Sequence, residues 1–166
     1  MQIDYIIYFF NIQSFFINSY NKIGEIMIIK YNTKENELLA RLMRAEAVCE
    51  GDLVMLMVGN VVVNRALADC LTFKNITTIT DVLYQPNQFT GVDSPLFFSN
   101  PTTNETRLAE KVLRGNYYHP ATNSLWFYAP SYGSSCASTW YGQTLAGRYK
   151  GHCFYIPDPG VCKQLH

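Results

Sequence analysis

Residues 38–51 read LLARLMRAEAVCEG, and the reading of this stretch decides the rest of the chain. Leu38, Leu39, Leu42 and Met43 recur on one helical face, while Glu37, Arg41 and Arg44 fall elsewhere. The spacing predicts a helix from about Glu35 to Glu50. Glu46, four residues after Leu42 and three after Met43, extends the apolar stripe, and Glu50 follows one turn later. A carboxylate on a core-facing stripe is costly unless it is paired or protonated. Desolvation would raise its pKa and leave a carboxylic acid near neutral pH, a group able to protonate the oxygen of a breaking glycosidic bond. The competing expectation is a buried ion pair with Arg44, Arg65 or another cation.

Working outward, Gly51-Asp52 breaks and restarts the chain, with Asp52 a candidate N-cap. The segment LVMLMVGNVVVNRALAD at 53–69 is apolar nearly all round, as a central buried helix would be, although its VVV run equally suits a strand. Asn60 and Asn64 lie one turn apart, either hydrogen-bonded in the core or facing a cleft. Thr80-Asp81 opens a short helix that Pro86 interrupts, placing YQPNQF in a turn. Thr102 and Glu105 match a capping box for a helix ending at Gly115. SLWFYAP at 124–130 and HCFYIP at 152–157 then read as strands separated by a Gly/Ser-rich loop. The class is α+β, helical first, with a small antiparallel β element near the end.

The 166 residues suffice for one domain, and 13 basic against 13 acidic residues give no basic stripe for nucleic acid and no pull toward acidic membranes. Five cysteines form no CxxC pair. Cys136, His152, Cys153 and Cys162 are the only metal-like grouping, but neighbouring His and Cys on a strand point to opposite faces. Buried thiols are the default, and an odd count would leave one thiol free under oxidation. Residues 1–26 are apolar but too often interrupted by Asn, Gln and Ser for a membrane span, and they lack a signal peptide's basic start and cleavage site. They form an atypical leader outside the mature protein if Met27 is the start, with a marginal membrane- or partner-binding segment as the alternative. Residues 27–166 are then the catalytic domain. The sequons at Asn75 and Asn104 carry little weight without secretion.

LLARLMRAEA, VGNVVVNR, VLYQPNQF, SLWFYAP, TWYGQ and GHCFY, in that order from about Tyr31 to Cys162, resemble the spore cortex-lytic cell wall hydrolases of the SleB/CwlJ type, closest to the CwlJ type. The resemblance implies a lysozyme-like fold akin to resuscitation-promoting factors and lytic transglycosylases. It also implies a peptidoglycan-degrading activity at spore germination and a catalytic glutamate in an AEA motif, here Glu46. Hydrolysis needs a second carboxylate across the sugar, and Glu50, Asp52, Asp81 and Asp93 are available without a motif pairing any of them to Glu46. Lytic transglycosylation at the MurNAc-GlcNAc bond needs one acid only and is the preferred expectation. The alternatives are muramidase-type hydrolysis of the same bond, a non-catalytic coat scaffold that binds glycan, and a Cys-His enzyme using Cys49 with His119 or His152.

Candidate sugar-binding residues are Asn64, Tyr84, Gln85, Gln88, Phe89, Trp126, Tyr128 and Trp140, chosen as flat apolar faces and amides. His152 is read as fixing the β element. The resemblance further implies production in the mother-cell cytoplasm without a signal peptide, placement in the coat and cortex region, spore-coat partners, and no separate peptidoglycan-binding domain. No metal or cofactor is expected, and no EF-hand is present, so activation by calcium dipicolinate would be indirect or use an unrecognised site.

Overall fold

The computed structural model describes residues 28–165, so the reading of the 1–26 leader lies outside the described residues. Helix α1 spans Thr33–Ala47 and runs on as a 3-10 turn, Val48–Glu50. It starts earlier than its apolar pattern because Asn32 and Glu35 cap each other: the Glu35 N–H donates to Asn32 Oδ1 at 3.1 Å, and the Asn32 side-chain amide donates to Glu35 Oε2 at 3.1 Å. Helix α2 spans Asp52–Ala68 and is buried on nearly every side, which settles the VVV run as helix. Its N-cap is Gly51, at φ 89°, with no side-chain cap; Asp52 lies inside the first turn and instead accepts from Asn104, correcting the expected cap.

Helix α3, Ile79–Leu83, is capped by Thr78 rather than opened at Thr80, and α4, Pro95–Phe98, is a single turn capped by Ser94. Helix α5, Thr103–Leu113, carries the expected capping box, with Thr102 N–H donating to Glu105 Oε2 at 2.7 Å. Leu39, Leu42 and Met43 of α1 pack with Val54, Val58 and Val62 of α2 and Val112 of α5 into the main core. Burying such side chains contributes roughly 1.5–3 kcal/mol each.

Arg44 was expected on the polar face of α1 and is buried instead. Its guanidinium meets Glu105 Oε2 at 3.1 Å and donates to the carbonyls of Leu96, Ser99 and Asn100. The helix is covered on that side by α4 and α5, and the buried cation is kept because both of its terminal nitrogens find acceptors, Nε alone being unbonded.

The C-terminal part is one antiparallel sheet: β1 Trp126–Tyr128, β2 Thr139–Trp140, β3 Gln143–Tyr149 and β4 His152–Ile156, in the order β1-β4-β3-β2. Strands β1 and β4 are the two aromatic runs. Strands β2 and β3 lie in the segment read as a loop, joined by Tyr141-Gly142, both at positive φ (48° and 80°). Two-residue hairpins need that conformation but usually take Asn-Gly, so the turn was hidden by its tyrosine. Phe154 and Ala121 lay the sheet on Met57 and Val61 of α2.

The cysteines also depart from expectation. Cys70 is bonded to Cys162 and Cys136 to Cys153, leaving Cys49 as an exposed thiol. The apparent metal grouping is thereby split between two crosslinks, and no group of three or more His, Cys, Asp or Glu among the described residues is placed to hold a metal ion. No described helix is long and apolar enough to cross a membrane. Helices followed by a small antiparallel sheet make the fold α+β, as expected.

Candidate active site

The end of α1 faces the sheet across an open cleft of about 420 Å³, within the range of small-ligand sites. Helix α1 and its 3-10 turn supply Glu46 and Glu50; the loop after α3 supplies Gln88, Phe89 and Thr90; β1 and β4 supply Phe127, Tyr128 and His152. Glu46 is half-buried, and its Oε1 accepts the Gly91 N–H at 2.7 Å. Glycine is required at that contact: a Cβ on residue 91 would lie 2.7 Å from Glu46 Oε1 and 3.0 Å from Ala45 Cβ.

Burial raises the Glu46 pKa above the usual carboxylate value, while the Gly91 hydrogen bond and the charges of His152 and Arg65 pull it partly back. No salt bridge joins Glu46 to a cation among the described residues. The ion-pair alternative therefore resolves in two ways. Arg44 is engaged by Glu105, and Arg65 acts on Glu46 only through space. Arg65 donates through Nε to the Leu125 carbonyl at 2.7 Å and lies between the rings of Phe73 and Phe89, 4.9 and 4.6 Å from their centroids. Its Nη1 is buried without a hydrogen-bond partner, and burial lowers its pKa to about 9. It stays cationic at neutral pH.

Glu50 joins the end of α1 to the sheet. Its Oε2 accepts the Gly151 N–H at 2.8 Å, and Lys150 Nζ reaches the Glu50 carbonyl. His152 Nδ1 lies 2.9 Å from Glu50 Oε1, outside hydrogen-bond alignment. The β3–β4 turn thus grips the helix that carries Glu46, so the two walls of the cleft are held in register.

A family model described as cell wall hydrolase matches residues 49–155. The chain belongs to the cell wall hydrolase family. The match begins three residues after Glu46, so the case for that glutamate rests on the cleft. Relatives named cell wall hydrolase CwlJ are 50% identical in Oceanobacillus iheyensis, covering 83% of this chain and 97% of the relative, and 37% identical in Bacillus subtilis, covering 84% and 96%. Among solved structures, the catalytic domain of Bacillus cereus SleB superimposes with a TM-score of 0.60 at 21% identity, over 76% of this chain and 92% of that one. That of Bacillus anthracis SleB does so at 0.59 and 20%, over 75% and 96%. The fold is therefore that of the SleB catalytic domain, and the chain is a peptidoglycan-acting cell wall hydrolase of the CwlJ type.

Of the residues singled out in the sequence, Gln88, Phe89 and Tyr128 share the cleft with Glu46. Trp140 stands beside it, its ring 4.8 Å from that of Tyr128. Asn64 is elsewhere: it is fully buried, and its amide donates to the carbonyls of Ala121, Thr122 and Ser124, fixing the approach to β1. Asn60 does the same for the chain at 116–118. Tyr84 is exposed outside the cleft, Gln85 donates to the Thr72 carbonyl, and Trp126 packs on Phe73 in a second small core. Cys49 does not line the cleft, and His152, read as structural, does. Glu50 was visible as a second acid one turn after Glu46. Gly91 and Phe127 carried no signal that sequence spacing could expose.

Proposed function

We propose that this chain cleaves the MurNAc-GlcNAc bond of spore cortex peptidoglycan during germination, as a lytic transglycosylase with Glu46 as its acid and base. The reading is carried by one observation: a carboxyl group in an open cleft, held by a backbone N–H, with its pKa raised and no cation bonded to it. Protonated Glu46 gives its proton to the glycosidic oxygen as the bond from the muramoyl C1 breaks, and the N-acetylglucosamine unit leaves as an alcohol. Glu46, now a carboxylate, takes the proton of the muramoyl 6-hydroxyl while that oxygen bonds to C1. The product is a 1,6-anhydro ring, no water is consumed, and the acid is restored. During the charged interval Arg65 and His152 stabilise the carboxylate through space. One solved neighbour, the Bacillus anthracis domain, is titled a germination-specific lytic transglycosylase, which supports the same reading.

Glu50 favours a second reading, because it places another carboxylate in the cleft. Muramidase-type hydrolysis would use it as base or nucleophile. Against that, its Oε2 already accepts the Gly151 N–H, which ties the side chain to the β3–β4 turn. Cortex fragments incubated with the protein and with Glu46→Gln, then analysed by mass spectrometry, separate the readings. Anhydro-muramic ends from the parent alone support transglycosylation, and reducing ends that have gained water indicate hydrolysis. No product from either protein would leave a glycan-binding scaffold. We further propose placement in the coat and cortex region beside coat proteins; adding calcium dipicolinate to the same assay tests whether it activates the protein directly.

A further inference from the structure

Resting on the reading of the cleft as a glycan site, we propose that Trp140 and Tyr141, with Tyr128, form an aromatic shelf. The shelf binds an uncharged sugar ring of the same strand beyond the rings held at Glu46. Tyr128 lines the cleft and is shared between the two sites. Its ring lies 4.8 Å from Trp140, which meets Tyr141 edge-on at 5.1 Å. Tyr128 and Trp140 belong to opposite edge strands, yet both lean over Tyr155, at 5.8 and 5.6 Å. Tyr155 is completely buried, so covering it accounts for those two rings.

It does not account for Tyr141. That side chain is 87% exposed and sits at φ 48°, in a left-handed conformation that Asn or Gly adopts at lower cost. Its edge-on contact with Trp140 leaves most of the residue open to solvent. A strained, exposed residue continuous with a binding cleft is the usual mark of a contact surface. The chemistry of the occupant follows from the surroundings: residues 137–147, ASTWYGQTLAG, contain no charged side chain. Flat apolar rings without charges suit the C–H face of a pyranose rather than an ionised peptide stem. Continuity through Tyr128 makes the occupant part of the strand already in the cleft, since about 420 Å³ cannot hold a long glycan chain.

The test compares retention of the catalytically blocked Glu46→Gln protein on purified cortex peptidoglycan with that of the same protein carrying Tyr141→Asn. Asparagine suits the turn, so the melting temperature should stay level or rise while affinity for long strands falls about three- to tenfold. Affinity for a single disaccharide fragment should change far less. Equal retention of both proteins on long strands overturns the shelf and leaves the cleft reading intact. An equal loss for strand and disaccharide also overturns it, because the change would then act within the cleft. Concentration-dependent self-association that Tyr141→Asn abolishes, with retention unchanged, would give the surface to a second copy. If Glu46→Gln alone fails to bind peptidoglycan at all, the underlying functional reading goes first and takes the shelf with it.

Discussion

Two buried arginines, Arg44 and Arg65, each lie near a glutamate, and they are held in opposite ways. Arg44 meets Glu105 at 3.1 Å and also has three backbone carbonyls and the Ser99 hydroxyl, with only Nε unbonded. Arg65 has one carbonyl and two aromatic faces, with Nη1 unbonded. The partner glutamates differ accordingly. Glu105 is fixed by Arg44 and by the capping box of α5, whereas Glu46 faces a cleft and keeps a raised pKa. The salt-bridged pair joins three helices. The pair coupled only through space leaves its carboxyl facing the cleft.

The largest expected effect lies with the pair that is not salt-bridged. Glu46→Gln should lower kcat by about 10³-fold or more, since the proposed mechanism gives both proton transfers to one group; single-turnover digestion of cortex fragments measures it. Its stability effect has a definite sign. A carboxyl whose folded pKa is raised favours the folded state below its unfolded pKa and loses that advantage as pH rises through the folded pKa. Glu46→Gln should therefore be as stable as the parent in acid and more stable at pH 8, in paired thermal melts.

On the salt-bridged side, Arg44→Ala leaves the Glu105 carboxylate buried and unpaired, a loss of about 3–5 kcal/mol by urea unfolding. If it instead cost no more than an exposed ion pair, about 1 kcal/mol or less, the contrast between the two arginines would disappear. A smaller effect is expected from Gly91→Ala, whose methyl would displace the Glu46 carboxylate. A displacement near 1 Å costs about 10²-fold in rate, so kcat/KM should fall by that order with little change in the melting temperature.

The finest test is the pH profile. In the proposed mechanism Glu46 donates only while protonated, so activity should fall as pH rises through its pKa. His152 and Arg65 both pull that pKa down, the former more strongly. His152→Gln should move the alkaline limb of kcat/KM upward, and Arg65→Met should move it in the same direction by less. A downward shift in either variant would show that the charge does not act on Glu46.

The helical part was legible because its periodicity, its capping box and its Pro and Gly stops are local signals, and Glu46 stood out against them. The buried arginine at position 44 was not, since whether a polar flank is exposed depends on α4 and α5, which arrive from more than fifty residues away. The β2–β3 hairpin was missed for a local reason, a tyrosine where turn chemistry expects asparagine. Within the site, sequence singled out Glu46 and three residues that share its cleft, Gln88, Phe89 and Tyr128. It misplaced Asn64 because one amide on an apolar helix looks the same whether it binds a ligand or three carbonyls. The close approach of Gly91 and the Glu50–His152 contact join segments that only folding brings together.

The Cys70–Cys162 bond has a mechanical consequence. It closes a ring over 92 positions that contains the loop at Gly91 and every strand, while α1 with Glu46 stays outside. The tail after β4 cannot peel away from the end of α2, so fraying that begins at that terminus is arrested before it reaches the sheet. Opening that parts the ring from α1 and α2 should then be concerted, and a reductant should allow stepwise loosening from the tail.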